Sequence, residues 1–68
     1  MKNVNIYECT YYDLEEVVAA VKEFERAMDK LANSLDHIGA DDVYGEWDIT
    51  SEKGDPEIVL TTKIVIIG

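Results

Sequence analysis

Hydrophobic and polar positions change their period along the chain, and each stretch predicts one element. From Val4 to Tyr11 the β-branched and aromatic residues of VNIYECTY predict a first strand, with Val4 and Ile6 on one face and Tyr7, Cys9 and Tyr11 on the other. Asp13 then supplies a helix start. Its carboxylate can accept from an orphan backbone N–H while Glu16, three residues on, reaches back as in a capping box, and Tyr12 and Val17 suit a hydrophobic staple. Leu14, Val17, Val21, Phe24, Met28, Leu31, Leu35 and Ile38 follow at spacings of three and four, which places all of them on one helical stripe. The helix is expected to end near Asp36 or His37 and to close on Gly39 in the left-handed conformation. Its other face carries Glu15, Glu23, Glu25, Arg26, Asp29 and Lys30.

Beyond the loop GADD, Val43 to Thr50 alternates cleanly. Val43, Trp47 and Ile49 share one side, and Tyr44, Glu46, Asp48 and Thr50 the other. Ser51 to Pro56 reads as a turn and Glu57 to Ile67 as a long third strand. A hairpin centred on Lys53-Gly54 would pair Ile49 with Ile58, Trp47 with Leu60, Gly45 with Thr62 and Val43 with Ile64, giving the large apolar residues of the second strand apolar partners.

The expected fold is α+β, a single β-α-β-β domain over residues 1–68. The third strand is the longest and most apolar, so it belongs at the centre of a mainly antiparallel three-stranded sheet of order 1-3-2, with the long amphipathic helix on one face. One helix covers one sheet face only. Val59, Val65 and Ile67 then point to the uncovered side, a pattern expected of an oligomer interface.

Composition sharpens this picture. With 15 Asp plus Glu against 6 Lys plus Arg, the 68 residues carry a formal charge of −9, a field that repels phosphate backbones and anionic lipids and attracts basic surfaces. Direct nucleic-acid binding and membrane docking are disfavoured. A thin core at this length commonly needs a disulfide, a metal or oligomerisation. The single cysteine, Cys9, excludes an intrachain disulfide, and the single histidine leaves no Cys/His set for zinc. Reduced, cytoplasmic surroundings are the natural reading, and the N-terminal MKNVNIYECTYYDLEE lacks the apolar stretch of a signal peptide.

Catalytic candidates are few. Cys9 with His37 is the one nucleophile–base pair, but negative surroundings oppose the thiolate, so a half-buried structural cysteine and a histidine at the negative end of the helix dipole are expected. Asp36, His37, Asp41 and Asp42 share a loop but lack the alternating ligands and closing Glu of a calcium loop, so no metal and no cofactor is assigned. Glu46 and Asp48 lie on the solvent side of a strand, without a pocket to raise either pKa for acid–base work. The sequence reads as a non-enzyme.

The distribution of negative charge carries the functional expectation. Glu46 and Asp48 stand two residues apart on one strand face, about 6 to 7 Å. Glu57 extends the row across the hairpin, Asp41 and Asp42 lie at one end, and Glu52 and Asp55 at the other, interrupted by Lys53 and Lys63. Carboxylates so spaced can enter a basic groove in place of a phosphate backbone. The expected contact residues are Glu46, Asp48, Asp41, Asp42 and Glu57, with Tyr44 and Tyr11 as aromatic anchors, and the expected partner is a basic protein surface, such as that of a nucleic-acid-binding protein.

In size, acidity and lack of catalytic equipment the chain resembles the small acidic inhibitors of phages, anti-CRISPR proteins and DNA mimics among them. That resemblance implies occupation of a nucleic-acid site on a host protein. In strand-helix-strand-strand order and length it is also similar to dodecins, hollow-shell proteins that bind flavin between aromatic side chains, with Trp47 inviting the comparison. The helix entry common in dodecins, of Gly-Thr-Ser type, is replaced here by Tyr11-Tyr12-Asp13.

Overall fold

Asp13 caps the helix as expected, without the expected return bond from Glu16. Its backbone is extended (φ −133°, ψ 128°), and its carboxylate accepts the N–H of Glu15 at 3.0 Å. Glu15 and Glu16 in the first turn and Lys30 in the last complement the helix dipole. The computed structural model describes all residues, Met1–Gly68, as β1 (Lys2–Tyr11), α1 (Leu14–Ala32), α2 (Leu35–Ile38), β2 (Asp42–Ser51) and β3 (Ile58–Ile67).

The single helix expected to reach Asp36 is broken. α1 stops at Ala32, where Asn33 donates to Asp29 O and Ser34 to Leu31 O, both at 3.1 Å. Asn and Ser are poor interior helix residues because their side chains compete for backbone hydrogen bonds. The apolar stripe runs straight through this break, which is why periodicity alone does not show it. The short α2 then ends on Gly39, left-handed as expected (φ 67°), with Ala40 donating to Leu35 O at 3.0 Å.

The sheet has the order β1-β3-β2, with both pairings antiparallel. The strand faces follow the expected alternation. Tyr7, Cys9, Tyr11, Leu60, Ile64, Val43, Trp47 and Ile49 lie on the helix side, and Val4, Ile6, Val59, Val65, Ile67, Tyr44, Glu46 and Asp48 on the open side.

The hairpin register differs by two residues from the one predicted. Ile49 pairs with Leu60, Trp47 with Thr62, Gly45 with Ile64 and Val43 with Ile66. The cause lies in the loop. A turn over Glu52–Asp55 (Asp55 N–H to Glu52 O, 3.1 Å) includes Gly54 at φ 85°, and the Asp55 carboxylate then accepts the Glu57 N–H at 2.9 Å. This Asx turn, together with Pro56, which has no N–H to give the ladder, keeps residues 55–57 out of β3. A shift of two preserves the faces, where a shift of one would have inverted them.

The core is small. Val17, Val21 and Leu60 form its centre, with Tyr11, Ala20 and Ile58 packed around them. Farther along the sheet the helix comes down on β2 at Gly45, where a β-carbon would stand 2.7 Å from Phe24 Cζ and 2.9 Å from Met28 Sδ. That glycine makes the close approach possible. Only five residues are buried, Val17, Val21, Val43, Leu60 and Val65.

The shape is correspondingly open. The principal extents are 45 × 20 × 11 Å and the radius of gyration is 13.9 Å, where a compact chain of this length would have about 11 Å. Accessible surface is 5131 Å², against about 4,300 Å² expected for a folded monomer of this mass. The chain therefore exposes about 800 Å² more than a compact monomer of its mass. No helix is long and apolar enough to cross a membrane.

Candidate functional site

The open sheet face consists of five rows, each crossing β1, β3 and β2 in that order. Lys2–Ile67–Asp42 forms one end, followed by Val4–Val65–Tyr44, Ile6–Lys63–Glu46, Glu8–Thr61–Asp48 and Thr10–Val59–Thr50. Rows are about 6.8 Å apart and neighbouring strands about 4.8 Å apart, so side chains on β1 and β2 in one row stand about 10 Å from each other. Asp42, Glu46 and Asp48 line one edge of this face and Glu8 the other, with Lys63 between them and Lys2 at a corner.

Two shallow hollows lie on this face along the β2–β3 seam. One, of about 170 Å³, is lined by Glu46, Trp47, Asp48, Thr61 and Lys63. The other, of about 180 Å³, is lined by Thr50, Ser51, Glu52, Asp55, Glu57 and Val59 at the hairpin end. Strand alternation aims Glu46 and Asp48 into the first, and the turn that displaces the hairpin register brings Glu52, Asp55 and Glu57 together at the second. Hydrogen bonds to backbone hold two of the carboxylates: Asp55 accepts from Glu57 N–H, and Asp42 accepts from Val43 N–H, both at 2.9 Å.

Of the residues expected at a partner contact, Glu46, Asp48, Glu57 and Tyr44 share this face. Asp42 lies at its far end, with Asp41 in the adjoining loop, where its N–H donates to Ile67 O. Tyr11 is elsewhere. It faces the helix, packs against the core, and its phenol pKa is raised, first by burial and then by Cys9, Glu23 and Glu16. Glu8 was missed by the sequence reading. The alternation Val4, Ile6, Glu8 on β1 is the signal that places it level with Asp48.

The residues expected at an oligomer interface do not form one patch. Val65, between Val4 and Tyr44, is already 0 % exposed in the lone chain. Val59 and Ile67 are half-buried and stand at opposite ends of β3, about 27 Å apart along the strand. The exposed aliphatics of the open side are instead Val4 and Ile6 on β1, the latter 64 % exposed.

On the helix side two expectations change. Cys9 is exposed rather than half-buried, because α1 does not cover the outer edge of β1 there. It lies level with Leu60, toward the hairpin end, whereas His37 follows the far end of α1, so the two do not meet. Trp47 faces Thr62 rather than Leu60 and is 45 % exposed. No three His, Cys, Asp or Glu side chains come together as a metal-binding group.

No family model, curated protein or solved structure matches the chain.

Proposed function

We propose that this is a small acidic interaction protein of the cytoplasm that places its open sheet face against a basic site on another protein and blocks it, in the manner of a nucleic-acid mimic. The observation that carries this reading is the pair of acid-lined hollows in series along the β2–β3 seam. They offer carboxylates at strand spacing on a face that the helix leaves uncovered. Long-range attraction between such a face and a basic groove accelerates encounter and weakens with added salt. Tyr44, beside Val65, supplies an aromatic contact at the margin of the acids.

A lysine-rich polypeptide serves as a probe of the face. Replacing Glu46 and Asp48 together by lysine, two charge units each, changes the formal charge from −9 to −5. The double variant should bind the probe at least about tenfold more weakly and with a shallower salt dependence, measured by calorimetry at several salt concentrations. Glu15→Lys with Glu23→Lys makes the same change of net charge on the outer helix surface and should have a much smaller effect. Equal losses from both variants would mean that the probe senses overall charge and not this face.

A second reading, a dodecin-like shell binding flavin or another small planar ligand, is favoured by the half-exposed indole of Trp47 on the sheet edge. It predicts that flavin quenches Trp47 fluorescence saturably, and unchanged emission on adding flavin would dismiss it.

A further inference from the structure

β1 is an edge strand, and its hydrogen bonds to β3 fix which of its main-chain groups point outward. Gly68 N–H donates to Met1 O at 2.8 Å, and the Met1 nitrogen donates back to Gly68 O. That mutual exchange marks a hydrogen-bonded pair, and antiparallel ladders alternate such pairs with ones whose main-chain groups point away. The unbroken register puts Asn3, Asn5, Tyr7 and Cys9 in the bonded type, opposite Ile66, Ile64, Thr62 and Leu60. Lys2, Val4, Ile6 and Glu8 therefore turn their N–H and C=O groups to the free edge, and all four are exposed. Neither a proline nor a bulge, the usual guards against pairing, interrupts this edge. The helix leaves it open, since α1 packs on β1 at Tyr11 and then leads away to Gly45 on β2.

We propose that β1 of a second copy of this chain pairs antiparallel with this edge, about a two-fold axis at Asn5, and joins the two sheets into one. A contact of this symmetry needs a strand complementary to its own reversal. β1 has that property. Counted outward from Asn5, Val4 answers to Ile6 and Lys2 to Glu8. All four carry outward main-chain groups, so each Val4–Ile6 and Lys2–Glu8 pair exchanges two hydrogen bonds. On the open face Val4 and Ile6, 44 % and 64 % exposed in the lone chain, meet their counterparts in one apolar block across the axis. An opposite-charge pair closes that block at each end. Centring the axis on Val4 would set Lys2 against Ile6, and centring it on Ile6 would set Glu8 against Val4, so only the axis at Asn5 keeps the charge pairs. The other edge is unsuited, because two copies of β2 would gather Asp42, Glu46 and Asp48 of both chains on one face, and like charges across strands are destabilising. This inference does not rest on the acid-lined hollows, which lie along the β2–β3 seam and stay open in the joined sheet.

Sedimentation equilibrium should show the mass rising with concentration from 7.7 kDa toward twice that value. Amide hydrogen exchange then locates the contact. The N–H groups of Val4, Ile6 and Glu8 should gain at least about tenfold protection in concentrated over dilute protein, whereas those of Asn3, Asn5 and Tyr7, bonded to β3, should be protected in both. K2E and E8K each set like charges opposite one another and should weaken self-association at least about threefold, even though E8K lowers the net negative charge. K2E and E8K together in one chain restore the opposite-charge pair and should return the parent affinity. Ile6→Pro removes an outward donor at a position where an edge strand tolerates proline, so circular dichroism should persist while association weakens at least about tenfold. A mass of 7.7 kDa at every concentration up to the millimolar range would overturn the proposal. So would concentration-dependent protection confined to the amides of β2, or a loss in K2E and E8K that their combination does not reverse.

Discussion

Leu60→Ala should remove a large share of the protein's folding stability. Leu60 lies on the central strand, is buried against Val17 and Val21, and holds the largest side chain of the three. Truncating a buried leucine costs about 2 to 5 kcal/mol through lost transfer energy and the cavity left behind. A chain of this length commands a total stability of roughly 3 to 10 kcal/mol, so one side chain holds a large fraction of it. At a fixed protein concentration, thermal unfolding followed by circular dichroism should show the midpoint lowered by more than about 10 °C. Loss of less than about 1 kcal/mol would mean that stability resides elsewhere than in the Val17–Val21–Leu60 cluster.

Gly45→Val should have the next largest effect, for the opposite reason. The helix meets β2 so closely at Gly45 that a β-carbon would press on Phe24 Cζ at 2.7 Å and on Met28 at 2.9 Å. The unbranched Met28 side chain can swing aside more easily than the bulky Phe24 ring, so the added bulk pushes α1 away from β2. Overpacking of this kind costs about 1 to 3 kcal/mol, and here it separates two layers that share a minimal core. Combining it with Phe24→Leu removes the atom at 2.7 Å and should restore some of the loss, a coupling that a double-mutant cycle in denaturant measures. If Gly45→Val is as stable as the parent chain, the close helix–strand approach is not a feature of the folded protein.

These two residues mark the limits of what the sequence discloses. Leu60 is legible as core from its place in an apolar strand. The caps at Asp13 and Gly39 are legible because each rests on local chemistry, a carboxylate accepting a backbone N–H and a glycine adopting positive φ. The strand faces are equally clear, since alternation survives any even shift of register. The hairpin register is another matter, because it depends on how many residues the Asp55 turn and Pro56 withhold from the ladder. Gly45 carries its meaning only once the crossing point of the helix is known. That crossing also leaves Trp47 half exposed and Cys9 bare, which no pairing argument could foresee.

The candidate site divides in the same way. Glu46 and Asp48 follow from alternation, and the same reasoning applied to β1 yields Glu8. The second hollow, with Glu52, Asp55 and Glu57, exists because of the turn geometry. Tyr11 was expected beside the acids, yet it faces the helix and packs on the core. The excess surface is a property of the whole shape and is invisible in any local pattern.

The most direct test of the account maps a lysine-rich polypeptide onto the isotopically labelled protein by amide chemical-shift perturbation. Shifts should concentrate on β2 around Glu46 and Asp48, on Glu8 and Thr61 in the neighbouring strands, and on the loop through Glu57, while Glu15, Glu23 and the rest of the outer helix surface stay unmoved. Perturbations spread evenly over all the acids, or gathered on the helix, would contradict the assignment of the open sheet face as the contact.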